Sequence, residues 1–398
     1  MFHVPSKVEV LFGNNEVFGA GPCVPFSEDV VGAISDFASR LMAYPNVSQF
    51  GDLVTFCFWC RKSNLVEQSR FYKESFHRMG RGTVFHIAPA NVPVNFAFSF
   101  VLGLLAGNDN VVRISSKSFP QTELVLSCLN SCRDSIPLLS KRLMVVRYAK
   151  SVEVTSLISS MTDARVVWGG DETIREIRSI NCGADSVDLF FPDRFSFCVL
   201  SADAVCDVSD VEIETLARRF YNDSYTMDQN ACSSPHIVFW VGNEKNLQIA
   251  KNRFWGHIAE VCEDKYDLRD DMSMNKYERL CMDAACTTEM VGCTKHKNYL
   301  TVINLSSVNC PLNRYSGRYG YFYEIYISDM DELSSLVDSK CQTLTYYGVD
   351  PEKLLETMRL RNVKGITRIV PIGSALDFSL VWDGHDTIRA LSRLCQIK

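Results

Sequence analysis

A doubly wound α/β protein with a second α/β domain is the fold class this sequence predicts, and three observations predict it. From Arg81 onward, short apolar runs at 83–87, 111–114, 143–147, 165–168 and 197–200 alternate with helical stretches. Parallel strands joined by crossover helices give that pattern. After a polar turn at 227–235 a second set begins, with strand-like runs at 236–240, 299–305, 321–327 and 342–347 and helical runs at 246–262 and 352–361. The chain has 398 residues, 46% of them hydrophobic and 22% charged, which is enough material for two cores and an ordinary globular balance.

The bulk properties exclude several classes. A formal charge of −6 argues against a nucleic-acid binder, which would carry a basic face, so small-molecule or protein partners are expected. Sixteen cysteines without regular spacing in a chain this long fit reduced thiols. The start Met1-Phe2-His3-Val4-Pro5 has no charged segment followed by an apolar core of the kind secretion needs, so a cytoplasmic location is expected. The most apolar run, 97–107, is well short of the roughly 18 residues of a membrane span and reads as a buried helix. Cys57 and Cys60 have CxxC spacing, and Cys293 stands near His296, but four converging ligands are not visible at either place, and no metal site is expected.

Taken in order, residues 1–80 show helical patterns at 30–42 and 56–72 and read as a layer packed on a larger body. The turns after the strands matter next, because ligands of doubly wound domains bind at the carboxyl ends of the strands. The first turn is Ala88-Pro89-Ala90-Asn91-Val92-Pro93-Val94-Asn95, where two prolines stiffen the backbone on either side of Asn91. An amide held this way can donate to a developing oxyanion, or it can satisfy its own turn. The next strand ends in Arg113-Ile114-Ser115-Ser116-Lys117, which offers donors to a ribose or phosphate and equally suits a solvated strand end. After the fourth strand, Gly169 and Gly170 permit close approach of a cofactor to the backbone, and the following helix start offers N–H groups. They do not form the spaced GxGxxG fingerprint, and a tight turn capped by Asp171 reads the same way.

The cysteine that stands out is Cys232, in Met227-Asp228-Gln229-Asn230-Ala231-Cys232-Ser233-Ser234-Pro235, a polar turn running straight into an apolar strand. At such a junction a thiol can meet backbone N–H groups and a substrate together and act as a nucleophile, whereas most free cysteines are small buried hydrophobes. His236 is the nearest imidazole, but it begins a strand, which argues against its serving as base. The tail from Arg368 to Phe378 and on to His385 yields no role on physical grounds, and no internal repeat is present.

Five separated segments together carry a resemblance: His86 to Asn95, Gly107-Asn108, Val167 to Glu172, Asp228 to Pro235 and Val370 to Phe378. In the same order from about Phe58 onward, they resemble the LuxC type of acyl-CoA reductase, the fatty-acid reductase component of bacterial luminescence. That family is similar in turn to the aldehyde dehydrogenase superfamily. The resemblance implies an aldehyde-dehydrogenase-like fold. Its parts would be an amino-terminal layer (1–80), a Rossmann-type NADP-binding domain (81–205), a catalytic domain (206–365) and a carboxyl-terminal segment (366–398) that returns to the cofactor domain or bridges subunits.

The resemblance also implies roles. Cys232 falls on the nucleophile and Asn91 on the side-chain half of the oxyanion hole, with Ala88, Pro89, Arg113, Ser115, Lys117, Gly169 and Gly170 expected to bind the cofactor. Where hydrolytic aldehyde dehydrogenases carry a general-base glutamate, this chain reads Phe190-Phe191-Pro192-Asp193-Arg194, which suits thiol exchange and reduction rather than hydrolysis. Where a Pro-Ser-Glu holds ribose hydroxyls, Ser115-Ser116-Lys117 favours a 2′-phosphate, hence NADPH over NADH. The superfamily's Glu-Ile-Phe-Gly-Pro segment corresponds to Gly317-Arg318-Tyr319-Gly320-Tyr321. The implied activity is NADPH-dependent reduction of an acyl thioester, on CoA or on a protein, to an aldehyde through an acyl-cysteine. The implied partners are an acyl-CoA or acyl-protein substrate, an acyl-protein synthetase and further copies of the chain. The alternatives are an acyl carrier or transferase using the same cysteine without reduction, and a non-catalytic assembly subunit.

Overall fold

A computed structural model describes Pro5, residues 7–72 and residues 77–397; the stretch 1–4, read above for a leader, lies outside them. The chain divides into two compact units, Met1–Pro192 together with Phe378–Lys398, and Asp193–Asp377.

The first unit opens with strand β1 (Glu9–Phe12) and helices α1 (Glu28–Met42), α2 (Gly51–Trp59) and α3 (Lys62–Ser69). In α1, Val30, Ile34, Phe37 and Leu41 recur at helical spacing and are buried, while Glu28 and Asp29 occupy the first turn, where the helix dipole favours negative charge. The single helical stretch expected at 56–72 is two helices, because Arg61 takes an extended conformation between Trp59 and Lys62.

Next come β2 (Arg78–Gly80), β3 (Thr83–Ile87), α4 (Asn95–Leu105), β4 (Asp109–Ile114), α5 (Pro120–Ser131), α6 (Pro137–Arg142), β5 (Leu143–Arg147), α7 (Val152–Ser159), β6 (Ala164–Trp168), α8 (Asp171–Arg178) and β7 (Val187–Phe191). The sheet order is β1-β5-β4-β3-β6-β7, parallel from β5 to β7 with β1 antiparallel at the edge. Chain order reverses between β3 and β6, which opens a crevice beyond their carboxyl ends. The apolar run 97–107 contributes most of α4, which is buried along nearly its whole length. β7 was not expected. It is bound to β6 by Arg165, whose guanidinium makes two 2.7 Å bonds to its register partner Asp188 and also donates to the Ile177 and Ile180 carbonyls.

The second unit runs through β8 (Phe195–Ser201), α9 (Ala202–Asp207), α10 (Asp210–Ser224), β9 (Pro235–Val241), α11 (Glu244–Lys265), α12 (Asp270–Cys286), β10 (Met290–His296), β11 (Leu300–Leu305), β12 (Tyr321–Tyr326), α13 (Met330–Leu336), β13 (Cys341–Tyr347), α14 (Pro351–Leu360) and β14 (Arg368–Pro371). Its sheet order is β10-β11-β12-β9-β8-β13-β14, parallel except at the β10 edge. The strand read at 197–200 as a continuation of the first sheet is therefore β8, near the centre of the second. Its residues are buried on both faces, and an apolar run of that kind does not say which sheet it joins. Ser209 and Glu212 start α10 with reciprocal bonds between side chain and backbone, an arrangement typically worth about 1 kcal/mol.

The chain then returns to the first unit with β15 (Val381–Trp382), β16 (His385–Asp386), α15 (Thr387–Ala390) and β17 (Ser392–Leu394). β17 pairs antiparallel with β2, and the side chain of Asn108 donates to the Leu391 carbonyl. No described helix is long and apolar enough to cross a membrane.

Candidate functional site

In the first unit, the turn after β3 is pinned at both ends. The Ala88 N–H donates to the Arg113 carbonyl at 3.0 Å, and the Thr122 hydroxyl donates to the Pro93 carbonyl at 3.1 Å. Asn91 stands exposed between them. Ala88, Pro89, Ile114, Ser115 and Lys117 line one depression at the carboxyl ends of β3 and β4, floored by Phe96 and Phe119. The Lys117 ammonium sits 4.8 Å from the centre of the Phe119 ring, and its backbone N–H donates to the Ser115 hydroxyl. Arg113 does not join this lining: its guanidinium lies over the Tyr148 ring at 4.8 Å and donates to the Tyr148 carbonyl.

Gly169 and Gly170 form the turn after β6, across the crevice. A side chain at 169 would meet Thr173 at 3.2 Å, and Gly170 caps α8 without a side-chain bond of its own. At this strand end an apolar floor, the Ser115 hydroxyl and the Lys117 ammonium converge, the kinds of group that a ribose or phosphate takes. Asn95 Oδ1 at the start of α4 and Arg113 Nε are buried with no hydrogen-bond partner among the described groups.

A buried polar network fixes the strands that carry these turns. His86 in β3 bonds Ser99 of α4 at 2.7 Å and Asn110 of β4 at 2.8 Å, and the Trp168 indole of β6 donates to the Ser99 hydroxyl at 3.0 Å. Burial pulls the His86 pKa down to about 4, although the Asn110 bond opposes it, so the ring is uncharged at neutral pH. The Trp168 ring stacks on Phe191, 3.9 Å between centres.

In the second unit, Cys232 is half-buried in the turn between α10 and β9. This turn is unusual in its backbone: Asp228 and Gln229 are consecutive left-handed residues, with φ of 54° and 57°. Gln229 holds it. Its buried amide accepts from the Gly320 and Tyr321 N–H groups at 2.8 and 3.1 Å and donates to the Pro235 and Tyr321 carbonyls at 3.3 and 3.2 Å. The segment 317–321 is thereby tied to the cysteine turn. Asp228 accepts a bond from Tyr266 at 2.6 Å. The Cys232 carbonyl accepts from the Ser196 hydroxyl of β8 at 2.7 Å, and the Ser234 hydroxyl donates to the Asp223 carbonyl at 2.7 Å.

His236 is the second residue of β9, buried and stacked on Phe195. Burial pushes its pKa down to about 4, with Arg318 acting the same way and a bond to the Gly317 backbone against it. Gln229, Ser196 and Asp223 were not visible to sequence reasoning, because they act on backbone groups and no spacing marks such partners. Elsewhere, Cys57 and Cys60 are both buried at the end of α2, and Cys293 and His296 lie on the edge strand β10. Among the described residues no cluster of three or more metal-ligating side chains occurs.

Known proteins match both the sequence and the fold. The long-chain acyl-protein thioester reductase of Photorhabdus luminescens is 24% identical over 323 residues, covering 79% of this chain and 62% of the relative. That of Vibrio harveyi is 24% identical over 341 residues, covering 83% and 65%. This chain thus spans less than two thirds of the length of these relatives. Among solved structures, a salicylaldehyde dehydrogenase from Pseudomonas putida G7 aligns with a TM-score of 0.63 at 14% identity, over 93% of this chain and 85% of that one. An NAD-dependent benzaldehyde dehydrogenase from Corynebacterium glutamicum aligns with 0.61 at 12%, over 94% and 85%. At such identities the likeness speaks for the fold, which is that of aldehyde dehydrogenases. The family described as acyl-CoA reductase (LuxC) matches residues 62–397, well over half of the chain, and this protein belongs to it.

Proposed function

We propose that this chain reduces an acyl thioester to an aldehyde with NADPH, through an acyl-cysteine on Cys232. The observation that carries the reading is the turn bearing Cys232, which is bound through Gln229, Ser196 and Ser234 to three other segments of its unit. A thiol on a turn so fixed can be presented to a substrate in one orientation, which a nucleophile requires and a packing cysteine does not. The names of the relatives, long-chain acyl-protein thioester reductases, support the substrate class.

In the first step the Cys232 thiolate attacks the thioester carbonyl, a new C–S bond forms, and the CoA or partner-protein sulfur leaves and takes up a proton. Asn91 is assigned the side-chain donor to the oxyanion, with the Cys232 N–H as the backbone donor. Ala88, Pro89, Ser115, Lys117, Gly169 and Gly170 would hold the cofactor, with Lys117 facing a 2′-phosphate; Arg113 is taken up by Tyr148 and is given no part in it. When bound, the nicotinamide supplies a hydride to the acyl carbon. The resulting hemithioacetal then breaks its C–S bond, releasing the aldehyde and returning the thiolate to Cys232. His236, buried and uncharged at neutral pH, is not assigned as the base, since a thiol ionises more readily than a serine hydroxyl and needs less help.

The test is NADPH consumption by the full chain against a panel of acyl-CoA and acyl-protein thioesters, with the aldehydes identified. Cys232→Ser should form no labelled acyl-enzyme, and Asn91→Ala should lose roughly two to three powers of ten in turnover while still folding. Acylation without NADPH consumption would instead mark a carrier or transferase, and neither acylation nor NADPH binding would mark an assembly subunit.

A further inference from the structure

The segment from Arg368 to Asp377 has no chemistry legible in the sequence, yet it is wired to the cysteine turn within the second unit. The Arg368 guanidinium folds onto the turn that follows its own strand and donates to the carbonyls of Ala375, Ser374 and Asp377 at 2.9, 3.2 and 3.0 Å. That turn is held by Asp223, a carboxyl 1% exposed, which accepts the Gly373 N–H at 2.7 Å and the Ala375 N–H at 2.9 Å. The backbone carbonyl of Asp223 accepts the Ser234 hydroxyl, two residues beyond Cys232. From the other side, Ser196 donates to the Cys232 carbonyl and accepts the N–H of Thr343, which is the register partner of Arg368 across β13 and β14. Two independent sets of bonds therefore place Arg368 beside the cysteine turn, and the Cys232 thiol is among the groups whose charge would raise the Arg368 pKa.

We propose that Arg368 is a positioning residue that holds Cys232 as thiolate by a fixed positive charge set beside the sulfur. The proposal rests on the reading of Cys232 as the nucleophile. An ordinary thiol with a pKa near 8.5 is only a few per cent ionised at pH 7, so a cation at the sulfur adds directly to the reactive fraction. A guanidinium keeps its proton throughout the working range, and carbonyl dipoles orient its fork without cancelling its charge.

The charged and titratable groups around the turn include Asp223, Asp377, Asp228, Tyr266, His236 and Arg318, and Arg219 of α10, whose side chain packs against Gly373. Asp377, the thiol and Asp223 all act on Arg368, against the effect of its burial. Burial lifts the Asp223 pKa to about 7 against the Gly373 and Ala375 N–H bonds, so this carboxyl is about half protonated at neutrality and competes less with the sulfur for the cation as pH falls. Asp228 is bonded to Tyr266, and His236 is uncharged.

The experiment is iodoacetamide alkylation of the full chain from pH 5.5 to 9.5, read by mass spectrometry on the peptide containing Cys232 so that the other cysteines do not contribute. Arg368→Gln should slow alkylation at pH 7 about tenfold and approach the wild-type rate at pH 9.5, and Arg368→Lys should recover most of the loss. Asp377→Asn, which removes a competing carboxylate, should raise the rate at pH 7. A wild-type profile in Arg368→Gln overturns the proposal. So does a loss by the same factor at every pH, which marks a structural role. An Asp377→Asn rate that stays level or falls overturns it even where the Gln variant does not fold. Cys232→Ala separates the two claims: if that variant still takes label from an acyl thioester, the reading of the nucleophile fails, whereas label confined to Cys232 with unchanged Arg368 profiles removes only the role of Arg368.

Discussion

Replacing Gln229 with leucine keeps the side-chain volume and removes all four hydrogen bonds of the buried amide. The cost follows from what each backbone partner has left. The Tyr321 N–H retains the Arg318 carbonyl at 3.1 Å as a second acceptor, so the Gly320 N–H is the donor stranded in the interior. An unsatisfied buried donor costs about 1–3 kcal/mol, and the three remaining bonds are each worth about 0.5–1.5 kcal/mol net. The sum is about 2.5–7.5 kcal/mol, a large part of the stability of a typical domain. Urea unfolding followed by tryptophan fluorescence should show that loss, with Trp240 and Trp255 reporting from the second unit, and hydrogen exchange should show faster exchange at Gly320 and Tyr321. Gln229→Glu keeps an oxygen to accept both N–H bonds but sets a second oxygen against the Pro235 and Tyr321 carbonyls, and should destabilise as well, more so as pH rises and the buried carboxyl ionises. An unfolding free energy within about 1 kcal/mol of wild type, with protection at Gly320 intact, would refute the role given to this amide.

The cofactor preference rests on one ammonium: Lys117→Ala should raise the KM for NADPH about tenfold and leave that for NADH nearly unchanged, and an equal loss with both would remove the 2′-phosphate assignment. A methyl group at Gly103 would lie 1.8 Å from Asn110 Oδ1 and 2.9 Å from His86 Nε2, so Gly103→Ala should lower the melting temperature by several degrees; an unchanged value would show that the His86 network can shift at little cost. His86 and His236 each have a pKa near 4 against an ordinary 6.5, so the stability they contribute is present above pH 6.5 and lost as pH falls toward 4. Denaturation at pH 7.5 and 4.5 should therefore show a smaller acid loss in His236→Phe than in the wild type, and an equal loss would mean that this ring protonates freely in the folded chain.

What was legible in the sequence follows from range. Local alternation located β3, β5 and β6 to within a residue at each end, and the carboxyl part of β4, because a buried parallel strand needs a continuous apolar run. Sheet membership was not legible, since β8 reads like any other such run. α12 and the exposed edge strand β10 escaped because few of their residues are buried, which weakens the periodic signal. At the site, Cys232 and the two-proline turn could be read from their own neighbours. Gln229 meets Gly320 across 91 residues and Asp223 meets Ala375 across 152, and nothing local foretells such pairs. The Arg113 side chain shows the same limit, because the neighbour that claims it, Tyr148, comes from the next strand along the sheet.

The first unit is closed by a piece of chain made long after the rest of it. Asn108, Arg78 and Arg81 find their acceptors at Leu391, Arg389 and Ala390, with the whole second unit inserted between. During synthesis, then, the amino-terminal half must wait with those donors unsatisfied while nearly two hundred residues emerge from the ribosome, and the inserted unit has the opportunity to fold first. Nascent chains halted before residue 387 should consequently lean on chaperones far more than chains released after residue 395.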